Sequence, residues 1–387
     1  MRLGLLLSLA LAGFVAGSPS ASYQAQHSFG VYRLFTVTNG DDDGAGSLRQ
    51  AIADANAACG EDECKITFAD GLVIAPRSPL PAVTANRITI DGASHTELDG
   101  ALAGSDAHGL TMTARCTCRV LGMNIHDFAL YAIDFEPGHG VACGVSQQSV
   151  ENNTLTRNLR GIRADNFAGS VQGNVIRDNR RSGIWYGTGA SNRLNVLDNR
   201  IEHNGASGIY VDAAASHTYI ARNTIAGNAE MGVAISRRAG QTEVVGNAFR
   251  GNGGEAIDWG LDGADRILSN HADPVRIDAA HYDPATGTTT VDFTIDQPWF
   301  FDRSVDFDSM EVAFYVNDDP RNQGEQLAGE ASRQVNTRPQ SFRTTLAGDL
   351  SGKWLTATAT LRVITERVML DPRQSTSEFS NAVPVTK

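Results

Sequence analysis

The middle of this chain repeats a short motif in which an apolar residue lies between two asparagines that are five positions apart. The motif occurs five times, and its leading asparagines are separated by 21, 25, 24 and 24 residues. A repeat of this length without helical periodicity predicts a solenoid, because one unit cannot bury its apolar side alone whereas stacked units can. The motif contributes ten asparagines: Asn153, Asn158, Asn174, Asn179, Asn199, Asn204, Asn223, Asn228, Asn247 and Asn252.

Each repeat also contains a glycine or alanine followed by an apolar residue, and a β-branched stretch precedes most of the leading asparagines. This pattern predicts roughly two or three short strands per coil, separated by tight turns. We expect the asparagines to take left-handed turn conformations and to hydrogen-bond through their amides to the equivalent residue of the next coil. The small-apolar pairs are Gly161-Ile162, Gly183-Ile184, Gly208-Ile209, Gly232-Val233 and Ala256-Ile257.

Weaker coils continue the pattern back to Ile66, which gives about eight coils for an all-β, right-handed parallel β-helix over residues 66–265. From residue 275 to residue 387 the asparagine template is absent and alternating β-rich runs return. This spacing predicts a β-sandwich of immunoglobulin-like size. The predicted strands are 288–295, 310–316, 341–346, 353–361 and 378–383.

The first 22 residues have the features of a secretory signal peptide, with Arg2 followed by an apolar run that is shorter than the roughly 20 residues of a membrane span. We therefore expect a secreted protein, which is extracellular, periplasmic or attached to the cell surface. The net charge of −12 argues against a nucleic-acid partner, because phosphate binding needs an excess of lysine and arginine. We expect a monomer with no membrane span.

The five cysteines lie between residues 59 and 143, and in an exported protein we expect them to be oxidised. Cys59 and Cys64 bracket a short turn and form the first predicted pair. Cys118 and Cys143 are one coil apart and form the second, because stacked strands lie close enough for a disulfide. Cys116 is left over, and its spacing from Cys118 is too short for the usual zinc motif.

Residues 23–65 should cover the open end of the solenoid. The spacing predicts a helix over residues 47–56 with Ser47 as its N-cap. Its apolar face then closes the first coil. The acidic loop of Asp41, Asp42 and Asp43 leaves a calcium site open as an alternative, although it lacks the ligand pattern of an EF-hand loop. No other cofactor is expected.

The phrases 47–52, 78–81 and 88–92, together with the coils, resemble bacterial right-handed parallel β-helix repeat proteins of the pectin-lyase-like superfamily. The segment 355–381 resembles the sandwich domain that often follows such helices. The resemblance implies the fold, and it implies function only broadly, since this superfamily contains polysaccharide lyases, glycoside hydrolases, epimerases and plain surface proteins. Many relatives have an aspartate-rich linker after the helix, whereas this chain has only Asp258, Asp262 and Asp265, which argues against calcium there.

Alternation along the strands after each small-apolar pair predicts which side chains point outward. In adjacent coils this outer face carries carboxylates, one cation and two aromatic rings. Aromatic rings beside hydrogen-bonding carboxylates are what a glycan groove requires. The predicted ligand-binding residues are Asp134, Glu136, Arg163, Asp165, Trp185, Tyr210 and Asp212.

These residues favour a carbohydrate-binding or adhesive protein that acts on extracellular polysaccharide. A polysaccharide lyase or glycoside hydrolase is the alternative, with Asp165, Asp212 and Arg163 as candidate catalytic residues. Stacking puts the two aspartates about 9.6 Å apart, at the upper limit for an inverting hydrolase. A structural scaffold is the third possibility, and the sequence leaves open whether the protein is an enzyme.

Overall fold

The computed structural model describes residues 33–60, 62–113, 117–136, 148–165, 167–187, 189–212, 215–237, 239–261, 274–295, 309–334, 339–362 and 376–387. The predicted signal peptide, Cys116, Cys143, Asp262 and Asp265 lie outside the described residues. Within these ranges no helix is long and apolar enough to cross a membrane.

The first part of the described chain consists of one helix and a series of strands that pair in parallel. These elements are β1 (Arg33–Val37), α1 (Leu48–Ala58), β2 (Cys64–Phe68), β3 (Val73–Ile74), β4 (Arg87–Asp99), β5 (Leu110–Met112), β6 (Thr117–His126), β7 (Tyr131–Phe135), β8 (Gln148–Glu151), β9 (Thr154–Thr156), β10 (Arg160–Ala164), β11 (Gly169–Gln172), β12 (Val175–Arg177), β13 (Ile184–Tyr186), β14 (Gly189–Leu197), β15 (Arg200–Glu202), β16 (Ile209–Val211), β17 (Ala215–Ala221), β18 (Thr224–Ala226), β19 (Val233–Ile235), β20 (Gln241–Val245), β21 (Ala248–Arg250) and β22 (Ile257–Trp259).

The strands stack into three faces of a parallel β-helix, as the repeat predicts. The first face has the order β6-β8-β11-β14-β17-β20, and the second has the order β6-β9-β12-β15-β18-β21. The long strand β6 belongs to both, because its first half pairs with β8 and its second half with β9. The third face has seven strands in the order β5-β7-β10-β13-β16-β19-β22, close to the eight coils expected.

The ten motif asparagines form two ladders inside the turns, which confirms their structural role. Nine of them are buried, and Asn252 in the last repeat is partly buried. The side-chain oxygen or amide of each contacts the asparagine of a neighbouring coil. In the first ladder, Asn199 Nδ2 donates to Asn223 Oδ1 at 2.9 Å and Asn174 Nδ2 donates to Asn199 Oδ1 at 2.9 Å. Because every rung satisfies polar atoms that water cannot reach, the ladders fix the register of the coils.

The left-handed conformation belongs to the residue before each asparagine, so the expectation that the asparagines themselves adopt it was wrong. The φ angle is 56° at Asp198, which precedes Asn199, and 53° at His203, which precedes Asn204. The turn is made one position earlier, and this leaves the asparagine side chain pointing into the stack. Positive φ is also found at Asn152, Arg157, Gly173, Asp178, Arg222, Gly227, Gly246 and Gly251.

The predicted N-terminal helix is present as α1, and Ser47 caps it by accepting a hydrogen bond from the N–H of Gln50. Its buried side chains are Leu48, Ala51, Ile52 and Ala55, the face expected to close the first coil. In the preceding loop the Asp42 carboxylate accepts hydrogen bonds from Arg49 and from the backbone N–H of Arg77. These contacts lower the pKa of Asp42, and they engage one of the acids considered for calcium.

The predicted disulfide between Cys59 and Cys64 is confirmed, and it joins the end of α1 to the start of β2. The second predicted pair is not confirmed. Cys118 is a buried free thiol on the inner side of β6, and burial raises its pKa to about 12. Cys143 lies outside the described residues.

Seven further strands form a separate β-sheet region after the β-helix: β23 (Arg276–Asp283), β24 (Thr288–Ile295), β25 (Ser309–Asn317), β26 (Gln326–Arg333), β27 (Gln340–Ala347), β28 (Trp354–Arg362) and β29 (Val383–Thr386). They pair in the order β26-β25-β28-β29-β23-β24-β27. A second apolar cluster forms their core, where Phe293 and Phe314 meet edge to face at 5.2 Å. The immunoglobulin-like character of this region stays a prediction.

One predicted strand of this region, 378–383, is wrong, because the segment packs on the last coil of the β-helix and strand β29 starts only at Val383. Trp259 donates hydrogen bonds through its backbone N–H to Glu378 and through its indole to the carbonyl of Thr376. Phe379 stacks edge-on against Phe249 and enters the core of the helix. The second region therefore covers the last coil of the β-helix, at the end opposite to the one that α1 covers.

Candidate functional site

The outward side chains of the third face are paired in the order that the repeat predicts. Arg163 lies opposite Asp134 on one side and Trp185 on the other. Trp185 then lies opposite Tyr210, and Tyr210 lies opposite Ala234. Four of the seven predicted groove residues, Asp134, Arg163, Trp185 and Tyr210, therefore form one continuous column across β7, β10, β13 and β16, with one side chain per coil.

Two of the acidic residues differ from expectation, because they point outward and yet are buried. Asp134 is 0% exposed and Asp165 is 7% exposed. Side chains from adjacent coils lie beside the Asp134 carboxylate, since Arg163 Nε is 2.6 Å and His108 Nδ1 is 3.4 Å from its oxygens. Strand alternation predicts the direction in which a side chain points, whereas the side chains of neighbouring coils determine how much of it solvent reaches.

Arg163 is shared by two carboxylates. Its Nε atom is 2.6 Å from Asp134 Oδ1 and 3.5 Å from Asp165 Oδ2. The close approach to Asp134 is an ion pair without hydrogen-bond alignment, and neither Asp134 oxygen has an aligned hydrogen-bond partner among the described residues. A buried carboxylate in this state is costly, because it loses water without gaining full compensation.

The electrostatic setting changes the acidity of two groups. Burial raises the pKa of Asp134 to about 7; Arg163 opposes this rise, and the charges of Glu136 and Asp165 add to it. Burial and the nearby Arg163 charge lower the pKa of His108 to about 4. Asp134 therefore changes charge near neutral pH, whereas His108 stays neutral there.

Three residues of this site were missed by the sequence interpretation: His108, Tyr131 and Arg160. Each lies one position before a small-apolar pair, and Tyr131 is paired with Arg160 in adjacent strands. Moving the aligned register back by one residue would have found Tyr131 and Arg160. His108 was harder to find, because the coil that contains Gly109 and β5 lacks the asparagine template.

Arg160 connects the aromatic residues of the site. Its guanidinium carbon is 5.6 Å from the ring centre of Tyr131 and 5.7 Å from that of Trp185, within cation–π range. It also donates hydrogen bonds to the hydroxyls of Tyr131 and Ser182. Within the described part of the chain, no carboxylate lies within ion-pair distance of Arg160.

The two aspartates proposed as a catalytic pair lie at equivalent positions, two coils apart. The Asp165 N–H donates to the Phe135 carbonyl, and the Asp212 N–H donates to the Tyr186 carbonyl. Gly187 occupies the same position in the coil between them, and a side chain there would collide with Asp165 Oδ1. Asp212 is half-buried and contributes to a raised pKa of Tyr210, whose main cause is burial. The absence of a side chain at Gly187 therefore leaves room for the Asp165 carboxylate, which fills the space beside this residue.

Three other histidines of the described part of the chain, His126, His203 and His217, lie away from this site. His126 is on the second face, where its Nδ1 is 2.7 Å from Asp127 and its Nε2 is 2.9 Å from Glu97. His217 lines a cleft of about 240 Å³ on the first face together with Arg193. His203 is a turn residue with a positive φ angle.

A family model described as NosD, periplasmic copper-binding protein, matches residues 69–259. Among solved structures, the A-module of mannuronan C-5 epimerase AlgE4 from Azotobacter vinelandii is 15% identical, with a TM-score of 0.32 over 62% of this chain and 100% of that chain. No curated protein matches the chain. The chain is therefore a parallel β-helix repeat protein, and its stacked coils over residues 69–259 are similar to the NosD family.

Proposed function

We propose that this protein is an exported polysaccharide-binding protein that holds an anionic glycan across the third face of its β-helix. The observation that carries the proposal is Arg160, a guanidinium held between the rings of Tyr131 and Trp185 with no carboxylate beside it in the described ranges. A cation that the protein does not neutralise favours an anionic ligand. Aromatic rings on either side favour the apolar faces of sugar rings.

The column of outward residues sets the direction of the bound chain. Trp185 and Tyr210 lie opposite each other in adjacent strands, and strands of neighbouring coils are about 4.8 Å apart. Sugar rings of one chain could therefore contact consecutive coils. Asp212 and Glu136 lie at the edge of this column and offer acceptors for hydroxyl groups.

The proposal is tested by binding of acidic and neutral oligosaccharides to the full chain and to Trp185→Ala. We expect about tenfold weaker binding of an acidic oligosaccharide by this variant, equal to about 1.4 kcal/mol, since it loses one stacking ring. Tyr219→Ala is the matched control, because Tyr219 is a half-buried outward aromatic residue on the first face. Equal loss in both variants, or no loss in Trp185→Ala, would contradict a groove on the third face.

A second candidate function is acid–base chemistry on the bound chain. The observation that favours it is Asp134, a buried carboxyl whose pKa of about 7 lets it give or take a proton at neutral pH. Incubation with a panel of acidic and neutral polysaccharides tests it by assay of new reducing ends and unsaturated products. We expect any such product to be lost in Asp134→Asn, and product formation that survives this change would exclude Asp134 as the acid or base.

Copper is named in the description of the matching family, and copper sites in proteins use cysteine, methionine and histidine donors. Among the described histidine, cysteine, aspartate and glutamate side chains, three close ligand atoms occur together only at Asp99, His126 and Asp127. Both ring nitrogens of His126 contact carboxylates, and Arg157 donates two hydrogen bonds to Asp127. Cys118 is buried in the core. This donor set does not fit copper, so the proposal involves no copper.

A further inference from the structure

We propose that binding of an anionic glycan at this site is coupled to proton uptake, because the acid group of the ligand replaces Asp134 as the partner of Arg163 and Asp134 becomes protonated. The inference rests on the proposed function, since it concerns the same groove. It adds a regulatory property, namely that affinity depends on pH through one named residue.

The charge balance around Asp134 favours this exchange. Two carboxylates, those of Asp134 and Asp165, contact the Arg163 guanidinium, and the negative charge of Glu136 acts on Asp134 from just beyond the end of the same strand. His108 is the only other titratable group within ion-pair distance of Asp134 among the described residues. The cluster thus has more negative charge than Arg163 compensates.

The burial of Asp134 makes its ionised form depend on Arg163. Its side chain is fully buried, and neither oxygen has an aligned hydrogen bond from the described residues. The ionised form is therefore stabilised mainly by Arg163. Any ligand that draws the guanidinium away removes this compensation, and a proton on the carboxylate is the least costly replacement.

Arg163 lies at the edge of the proposed groove, where a ligand can reach it. Its side chain is 20% exposed, and its guanidinium carbon is 5.2 Å from the ring centre of Tyr131, which also stacks with Arg160. Arg160 and Arg163 thus both pack on the Tyr131 ring, and the exchange places the acid group of the ligand beside this ring, where it contacts Arg163. Two carboxylates, one from the ligand and one from Asp134, would then compete for the same cation.

Asp134 is the proton acceptor that fits this exchange. Burial raises its pKa to about 7, so it is largely ionised at pH 8 and ready to take up a proton. Burial and Arg163 lower the pKa of His108 to about 4, and this histidine stays neutral across the range of interest. The negative charge of Asp106 acts in the opposite direction, but it is the smallest of the influences on the pKa of His108. The proton comes from solvent, and no bond of the sugar is made or broken.

The test is calorimetric titration of the full chain with a galacturonic acid oligosaccharide at pH 8, in two buffers of different ionisation enthalpy. We expect uptake of about one proton per bound ligand at a pH one unit above the pKa of Asp134. Affinity should fall by about tenfold for each further pH unit, because binding then requires a proton that the free protein lacks. The methyl-esterified oligosaccharide, which has no charge, should bind without proton uptake.

Asp134→Asn should abolish the proton uptake and make the affinity independent of pH between 6 and 9, roughly. Asp198→Asn is the matched control, because Asp198 is an aspartate paired with Arg222 on a distant turn, and it should keep the wild-type uptake. Binding of the acidic oligosaccharide without proton uptake in the unmodified protein would overturn this inference and leave the proposed function standing. Uptake that persists in Asp134→Asn would also overturn it. Absence of binding at every pH would overturn both.

Discussion

The asparagine ladders and the Asp134 cluster are two sets of buried polar residues that the fold treats in opposite ways. Asn199 donates to the carbonyl of Val171 and to Asn223, and it accepts from Asn174. Its side chain is therefore fully engaged. Asp134 is equally buried but contacts Arg163 without an aligned hydrogen bond.

The difference indicates what each set contributes. A buried amide with all its hydrogen bonds stabilises one register of the coils, because any slip would leave polar atoms without partners. A buried carboxylate with incomplete compensation destabilises the folded state, and such groups are concentrated at functional sites. The ladders thus stabilise the β-helix, whereas the Asp134 cluster destabilises it locally, and the proposed binding function would account for this cost.

The largest expected effect concerns Asp134→Asn and its dependence on pH. In the folded protein the pKa of Asp134 is about 7, above its ordinary value of 3.8, so this group favours the folded state most at low pH and loses that contribution as pH rises toward 7. The variant should match the wild type near pH 4. Above pH 8 it should be more stable by at most about 4 kcal/mol, since it has no buried charge to form.

Urea unfolding of both proteins at several pH values measures this difference. Asp198→Asn is again the control, because Arg222 lowers the pKa of Asp198 and the substitution should bring no gain at high pH. A wild-type advantage over Asp134→Asn above pH 8 would mean that the ion pair with Arg163 stabilises the fold. The contrast between the two buried sets would then be wrong.

Much of the fold was predictable because the repeat carries its own register. The spacing of the motif placed Trp185 and Tyr210 on one outer column, and the strand pairing agrees. The turn conformation was not predicted correctly, since glycine, aspartate, arginine and histidine all precede the ladder asparagines and no single residue type marks the positive φ angle. The asparagine is present in every repeat because of its side-chain hydrogen bonds and not because of its backbone conformation.

The part of the site that escaped prediction depends on contacts between coils. The burial of Asp134 comes from His108 and Arg163, and one of these lies in a coil without the asparagine template. The segment around Phe379 escaped for a similar reason. Its alternation is typical of a strand, but its apolar side chain packs into the last coil, a contact between residues far apart in sequence.

The next effect in size is expected for Asn199→Ala, which tests the other side of the comparison. This change removes the hydrogen bonds to Val171 and Asn223 and leaves donors of Asn174 without their acceptor. Since each buried polar group left unsatisfied costs about 1–3 kcal/mol, we expect a loss of about 3 kcal/mol in the free energy of unfolding. The loss should not depend on pH, because no group in the ladder titrates.

Asp198→Asn, one residue earlier, isolates the ladder from the turn that contains it. The substitution keeps a side chain that tolerates the φ angle of 56°, and it affects an exposed ion pair with Arg222 and an exposed hydrogen bond from Gln172. Because such pairs contribute little, the urea midpoint of this variant should stay within experimental scatter of the wild type. If the two neighbouring substitutions destabilised the protein equally, the turn and not the buried amide would hold the coils in register. A large loss at Asn199 with none at Asp198 would mean that the hydrogen-bonded ladder sets the register that aligns Arg163, Trp185 and Tyr210 in one outward column.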